Sequence, residues 1–218
     1  QIESGLVSFA GQALLRNEQG KSFEPYGLCL VQGLKGALDV FLPTKKGSLY
    51  QYRLEQMGDA KLEARWLQTI DLAARVSPEQ DQAMSRWIAQ EARAEGSEDK
   101  LEKNLKERFI LEGCVYDAET RKIYVGMENL GIWSMSVGGE PSLPELVIPV
   151  QGSWTDIESW SVPGIPRVTD DIEGMDIVRH GDHSYLFFSS QGISEFTVYD
   201  LSNLQWLGNF KVGFGPSD

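Results

Sequence analysis

Few of the residues that support most hydrolytic chemistry are present in this sequence. Histidine occurs twice, at His180 and His183, and cysteine twice, at Cys29 and Cys114. Both histidines fall in one turn-like stretch around Gly181-Asp182, where solvated turn residues are expected. A histidine-assisted serine or cysteine nucleophile therefore has little to draw on. No Cys/His spacing suits zinc, and no glycine-rich phosphate loop precedes a helix. Basic residues are also in deficit, with 20 Lys and Arg against 32 Asp and Glu, for a net charge of −12. Such a surface repels nucleic acid and anionic membranes and suits cations. No apolar run approaches the roughly 20 residues of a membrane-spanning helix. The chain opens on Gln1, so it reads as a mature or trimmed product, and the lack of a leader carries little weight. Two cysteines make no disulfide framework. Counted from the repeats described next, strand alternation sends Cys29 and Cys114 to opposite faces, so buried free thiols are expected rather than a bridge.

What is abundant is repetition. Three stretches place a polar residue before glycine at the head of a similar unit: Tyr26-Gly27-Leu28, Glu112-Gly113-Cys114 and Glu173-Gly174-Met175. In each, a turn, an apolar strand and an aromatic-bearing strand follow, the last with Tyr52, Trp133 or Tyr199. The spacing predicts strands at 27–31, 37–42, 48–54 and 62–72 in the first unit. The second has them at 114–117, 122–127, 131–136 and 145–150, and the third at 175–179, 184–189, 195–200 and 206–212. Four short strands joined by turns read as a sandwich or a propeller. A unit of about 40–50 residues with a recurrent glycine favours the propeller blade. The expected fold is therefore all-β, a β-propeller with blades at about 24–75, 111–150 and 171–213, in one partial domain over 1–218. An isolated strand is expected within 5–16, as the outer strand of a preceding blade.

The first two units stand further apart than the last two because of a segment of different character. Ser77-Pro78-Glu79-Gln80 is a capping box with proline at the first helical position. Met84, Trp87, Ile88 and Ala92 follow at helical spacing. Gly96 reads as a C-terminal cap and Ser97 as a second N-cap, with Leu101, Leu105 and Phe109 continuing a short second helix. This helical insertion, 77–109, reads first as a lid over apolar surface at the propeller rim. A partner-binding role is the alternative.

In a propeller the first strand of every blade lines the central channel, so equivalent positions converge near the axis. Glu112, Glu173 and Tyr26 hold one such position, and Glu128, just after the second strand of its unit, faces the same mouth. Carboxylates gathered in this way repel one another unless a cation compensates. Hard oxygen donors with flexible geometry suit calcium. Lys45 and Lys46 sit in a turn beside them, as point charges for phosphate.

These residues carry a resemblance. Glu112-Gly113-Cys114-Val115, with Tyr124-Val125-Gly126-Met127-Glu128-Asn129-Leu130-Gly131-Ile132-Trp133 after it, resembles the beta-propeller phytase signature. So do Asp171-Ile172-Glu173-Gly174 with Ser190-Gln191-Gly192, and Tyr26-Gly27 with Lys45-Lys46-Gly47-Ser48-Leu49-Tyr50. The resemblance implies a six-bladed propeller that hydrolyses phytate with calcium, a metal-bridged water attacking phosphorus. It implies that Glu112, Glu128 and Glu173 are calcium ligands and that Tyr26 and Lys45 contact substrate phosphate. Gln191 is a further metal contact by the same resemblance. It also implies an inositol phosphate as substrate and a secreted or periplasmic location.

The sequence departs from that family in two ways. Three units and one strand stand where six blades are expected, so the remainder of the same polypeptide, or a second copy, would complete the ring. Met127 stands where a second acidic residue is usual. Activity of this chain alone is therefore left open. A non-catalytic accessory propeller that binds calcium or phosphate is the alternative reading. A calcium-dependent lactonase shares the metal logic but leaves Lys45 unexplained.

Overall fold

The computed structural model describes residues 15–16, 19–21, 23, 25–32, 38–56, 62–137, 142–156, 158, 164 and 166–211. The expected strand at 5–16 falls almost wholly outside these residues, as do Glu24, the turn at 33–36 and everything from 212 onward.

Among the described residues, the strands form three antiparallel four-stranded sheets, each in simple sequential order. The first holds β1 (Cys29–Gln32), β2 (Leu38–Pro43), β3 (Ser48–Gln56) and β4 (Leu62–Asp71). The second holds β5 (Leu111–Asp117), β6 (Lys122–Met127), β7 (Gly131–Ser136) and β8 (Glu145–Pro149). The third holds β9 (Ile172–His180), β10 (His183–Ser190), β11 (Glu195–Asp200) and β12 (Gln205–Lys211). Each is a propeller-like blade. Of the inner strands, β5 neighbours both β1 and β9; the two larger apolar clusters lie between blades, while a smaller one of Val40, Leu42 and Tyr52 belongs to the first blade.

The strand boundaries follow the turn residues closely, except at the inner strands: β5 and β9 begin three residues earlier than the alternation suggests, and β1 begins two residues later. In β5 the register jumps from Leu111↔Met127 to Cys114↔Val125. In β9 it jumps from Ile172↔Ser190 to Met175↔Phe188. In both, a Glu-Gly pair opposes a single residue of the neighbouring strand, which is a β-bulge. A bulge bends its strand and re-aims a side chain, so it turns Glu112 and Glu173 out of the sheet alternation.

The glycines answer a separate demand. A Cβ built on Gly27 would lie 2.3 Å from the Glu112 carbonyl oxygen, and one on Gly113 would lie 2.5 Å from that of Glu173. The backbone of each following blade approaches too closely for any side chain. Gly174, by contrast, meets only Ser189 Oγ, at 3.5 Å.

Two apolar clusters glue the blades. Cys29, Val31, Phe41 and Leu49 of the first blade pack with Ile123, Val125, Met127 and Trp133 of the second. Tyr124, Ile132 and Ile148 of the second pack with Ile172, Leu186, Phe188 and Tyr199 of the third. Met127, where the resemblance leads one to expect an acid, is fully buried in the first cluster. Some inner-strand positions stay open: Leu28 just before β1, Leu30 on β1 and Val178 on β9 are exposed.

The insertion forms α1 (Pro78–Ala94), one tight turn at Glu98–Lys100, and α2 (Leu101–Lys106). Both halves of the Ser77–Gln80 capping box are present, a device that stabilises a helix by about 1 kcal/mol. Met84, Ile88 and Ala92 are buried, and Met84 joins the cluster between the first two blades. Gly96 follows α1 with φ +64°, as a C-terminal glycine should. Ser97 makes no capping hydrogen bond; its hydroxyl turns instead to Glu95 at 3.4 Å. The second helix stops at Lys106, short of Phe109, where Arg108 leaves the helical path and pairs with Asp81 of α1.

Cys29 and Cys114 form a disulfide across the first junction, with Cα atoms 5.5 Å apart. This corrects the expectation of free thiols. Alternation does put the two on opposite faces of their own sheets. In stacked blades, however, the back of one sheet looks onto the front of the next, so opposite faces are the ones that meet. A smaller correction concerns His183, which opens β10 and places Nδ1 3.0 Å from Asp200 Oδ2 rather than lying in a free turn.

Candidate active site

The expected site residues fall on two recurring positions. Tyr26, Glu112 and Glu173 each precede the glycine at an inner strand. Lys45, Glu128 and Gln191 each sit just past the second strand of their blade. Backbone hydrogen bonds fix these positions, two across the blade junctions and one within the second blade. Leu111 N–H donates to Thr44 O at 3.1 Å, Glu128 N–H to Ile110 O at 3.0 Å, and Ile172 N–H to Glu128 O at 3.3 Å.

Glu112, Glu128 and Glu173 come together, and they have acidic company that the sequence reading did not single out. Burial, then the Asp171, Glu112, Glu91 and Glu173 carboxylates, push the Glu128 carboxyl up to about 8. Burial and the nearby Glu173 raise Glu112 to about 7, against a lowering pull from Lys45. Burial raises Asp171 to about 6, with Glu173 and Glu95 adding to the rise and the Gly192 N–H opposing it. Glu91, on α1, rises to about 7 through burial, Asp170 and Asp171. Asp170 is fully buried; Oδ1 accepts the Trp154 N–H at 2.8 Å, while Oδ2 has no hydrogen-bond partner. A buried unpaired acceptor is costly to leave unsatisfied.

The insertion thus does more than cover apolar surface. A cavity of about 230 Å³ is walled by Ile88 and Glu91 of α1, Asn104 of α2 and Glu107 beyond it on one side. Glu112, Glu128 and Asn129 of the second blade wall the other. Glu91 was readable in principle: it continues the buried helical stripe of Met84 and Ile88 at a spacing of three, where an unpaired carboxylate is out of place. Asp171 stands two residues before Glu173, at φ +68°, a conformation that aspartate tolerates better than most residues. Asp170 and Glu107 carry no comparable signal, since only the tertiary fold brings them here.

The first blade supplies the positive charge. Lys45 Nζ lies 4.7 Å from the centre of the Tyr26 ring and 3.9 Å from Glu107 Oε1. Gln191 has an exposed side chain, and its backbone N–H donates to Asp171 O at 3.3 Å.

An all-oxygen set of carboxylates that hold one another above their ordinary pKa range matches a hard cation such as calcium in donor chemistry. The unsatisfied Asp170 oxygen adds to that fit. Among the described residues no three His, Cys, Asp or Glu side chains stand in an arrangement that could already hold a metal ion. The carboxylates face one another at electrostatic range instead. Among the described residues, no helix is long and apolar enough to cross a membrane.

A search of curated proteins finds no match. A protein-family model described as Phytase matches residues 92–217, more than half of the chain. The matched span carries Glu112, Glu128, Asp171, Glu173 and Gln191 on their blades, and with that match the chain belongs to the phytase family.

Proposed function

We propose that this chain carries the cation-binding and phosphate-binding residues of a calcium-dependent phytase, a hydrolase that releases phosphate from inositol phosphates outside the cytoplasm. The observation that carries the reading is the convergence of Glu112, Glu128, Asp171 and Glu173 from two blades, with Lys45 and Tyr26 arriving from a third.

Glu112, Glu128, Asp171 and Glu173 would hold the calcium, and Asp170 would stand behind them. Calcium bound there would neutralise phosphate charge and supply an activated water near neutral pH. Lys45 binds a phosphate oxygen as a point charge, and the Tyr26 ring holds the lysine stem and head in place. The bulges at Glu112-Gly113 and Glu173-Gly174 orient their carboxylates by backbone geometry, so little freedom is lost on binding. Apolar residues of α1, chiefly Ile88, keep bulk water from that wall of the cavity.

Calcium titration followed by thermal melting tests the cation half. At calcium 100-fold above its Kd, stabilisation of about 2.7 kcal/mol, or roughly 5–10 °C in Tm, is expected. Glu173→Ala should abolish most of that shift; a chain whose melt ignores calcium would sink the metal assignment. Phosphate release from inositol hexakisphosphate tests the other half. Calcium-dependent stabilisation with no release, under conditions that saturate the site, would make this a non-catalytic binding module.

A further inference from the structure

The inserted segment reaches the phosphate corner itself. Glu107, just past α2, lines the same cavity as Glu112 and Glu128 and pairs with Lys45 at 3.9 Å. Lys45 and Glu107 are each about one-third exposed at the side chain, 37% and 30%, so the pair is open to exchange rather than locked. Lys45 is also held over Tyr26 from the other side. Lys45 therefore already carries an anionic partner, which comes from the insertion and not from a blade.

We propose that Glu107 is a specificity-determining residue, whose carboxylate occupies the place on Lys45 that a substrate phosphate takes. This rests on the assignment of Lys45 to phosphate binding made above. A phosphate that settles on Lys45 must displace the Glu107 carboxylate and then lie beside it. The cost of that neighbour grows with the charge the ligand brings into the cavity, where Glu91 adds a second negative wall. The site is thereby biased away from the most highly phosphorylated inositol ring and toward ligands with fewer phosphates. The segment is anchored well enough to exert this effect. Arg108, the next residue, pairs with Asp81 of α1 and donates to Leu105 O at 2.6 Å.

Calorimetric titration of inositol hexakisphosphate and of inorganic phosphate, both with calcium present, tests the proposal on the whole chain. The proteins are the unaltered chain, Glu107→Gln, Lys45→Gln and the double variant. Partly exposed ion pairs are worth at most about 1 kcal/mol, so Glu107→Gln should tighten hexakisphosphate binding by roughly threefold to fivefold. Inorganic phosphate should tighten less, so the ratio of the two affinities changes. In the Lys45→Gln background the effect of Glu107→Gln should shrink, because no ion pair is left to displace and only the repulsion remains. An unchanged ratio, or the same gain with and without Lys45, overturns the proposal. If Lys45→Gln weakens binding while Glu107→Gln does nothing, only this inference fails. If the unaltered chain and all variants bind neither ligand, the phosphate assignment of Lys45 fails and the role of Glu107 goes with it.

Discussion

The two blade junctions are built to different plans. Between the first and second blades, the channel end holds a lysine, a tyrosine and a carboxylate from the insertion, paired among themselves. Between the second and third, Glu128, Asp171, Glu173 and Glu91 face one another with their charges unmatched. Below these ends the contrast reverses. The first junction is apolar and is crossed by the Cys29–Cys114 disulfide, with Met84 of α1 sealed into it. The second adds to its apolar cluster a half-exposed Arg179, which reaches the buried Asp117 at 2.5 Å and the exposed Glu119 at 3.1 Å. Stability and site chemistry are thus separated along each junction. The end prepared for cations is unstable as it stands, and it depends on the ordered packing beneath it.

Breaking the first junction should cost the most. The Cys29–Cys114 link closes a sequence separation of 85 residues, and chain entropy for a loop of that size corresponds to about 4.6 kcal/mol. Reduction, or Cys114→Ser, should lower Tm accordingly while leaving the calcium response in place. Thiol titration of the unreduced, denatured chain should find no free thiol; two titratable thiols would remove the covalent part of the contrast.

The close approach at the second junction comes next. Gly113→Ala places a methyl group against the Glu173 carbonyl and the Met175 side chain, and overpacking of that kind costs about 3 kcal/mol. Gly174→Ala, with only an ordinary contact to Ser189, should change stability by less than about 1 kcal/mol. Equal effects at the two glycines would show that blade approach does not explain the repeat.

The smallest effect is expected from pH. Burial alone would raise the Asp117 carboxyl, but hydrogen bonds from Thr120, Arg179 and the Glu119 N–H overcome it and hold Asp117 below the ordinary carboxylate range. Its folded pKa is depressed, so its stabilisation is present above the unfolded value and is lost as pH falls through the folded one. Asp117→Asn should flatten the acid side of the Tm–pH curve, by about 1–2 kcal/mol at neutral pH. The channel end has the opposite sign. Glu128 is raised to about 8, so in chelator its contribution is present below the unfolded carboxylate range and is lost as pH rises toward 8. Glu128→Gln should remove that loss. Melting curves from pH 3 to 8, in chelator, separate the two behaviours.

Much of the fold was readable because strand alternation and turn chemistry are local. The limits of β6, β7 and β11 follow from Lys122, Gly131 and Glu195 and their neighbours, and α1 announces itself through Ser77, Pro78 and Gln80. The Glu-Gly repeat likewise pointed to Glu112 and Glu173, and the end of the second strand of the middle unit pointed to Glu128. The disulfide was misread because alternation within a strand says nothing about which sheets stack. Glu107 and Asp170 were missed because neither lies in a repeated position.

By itself, then, the sequence determined the blades, the helical insertion and three of the carboxylates, since each depends on residues a few positions apart. Tertiary structure alone decided that a polar-glycine pair would be a bulge, that glycine was required by the next blade's carbonyl, and that the insertion would close on Lys45. Those outcomes depend on how closely separate sheets and helices approach, a distance that no spacing along the chain encodes.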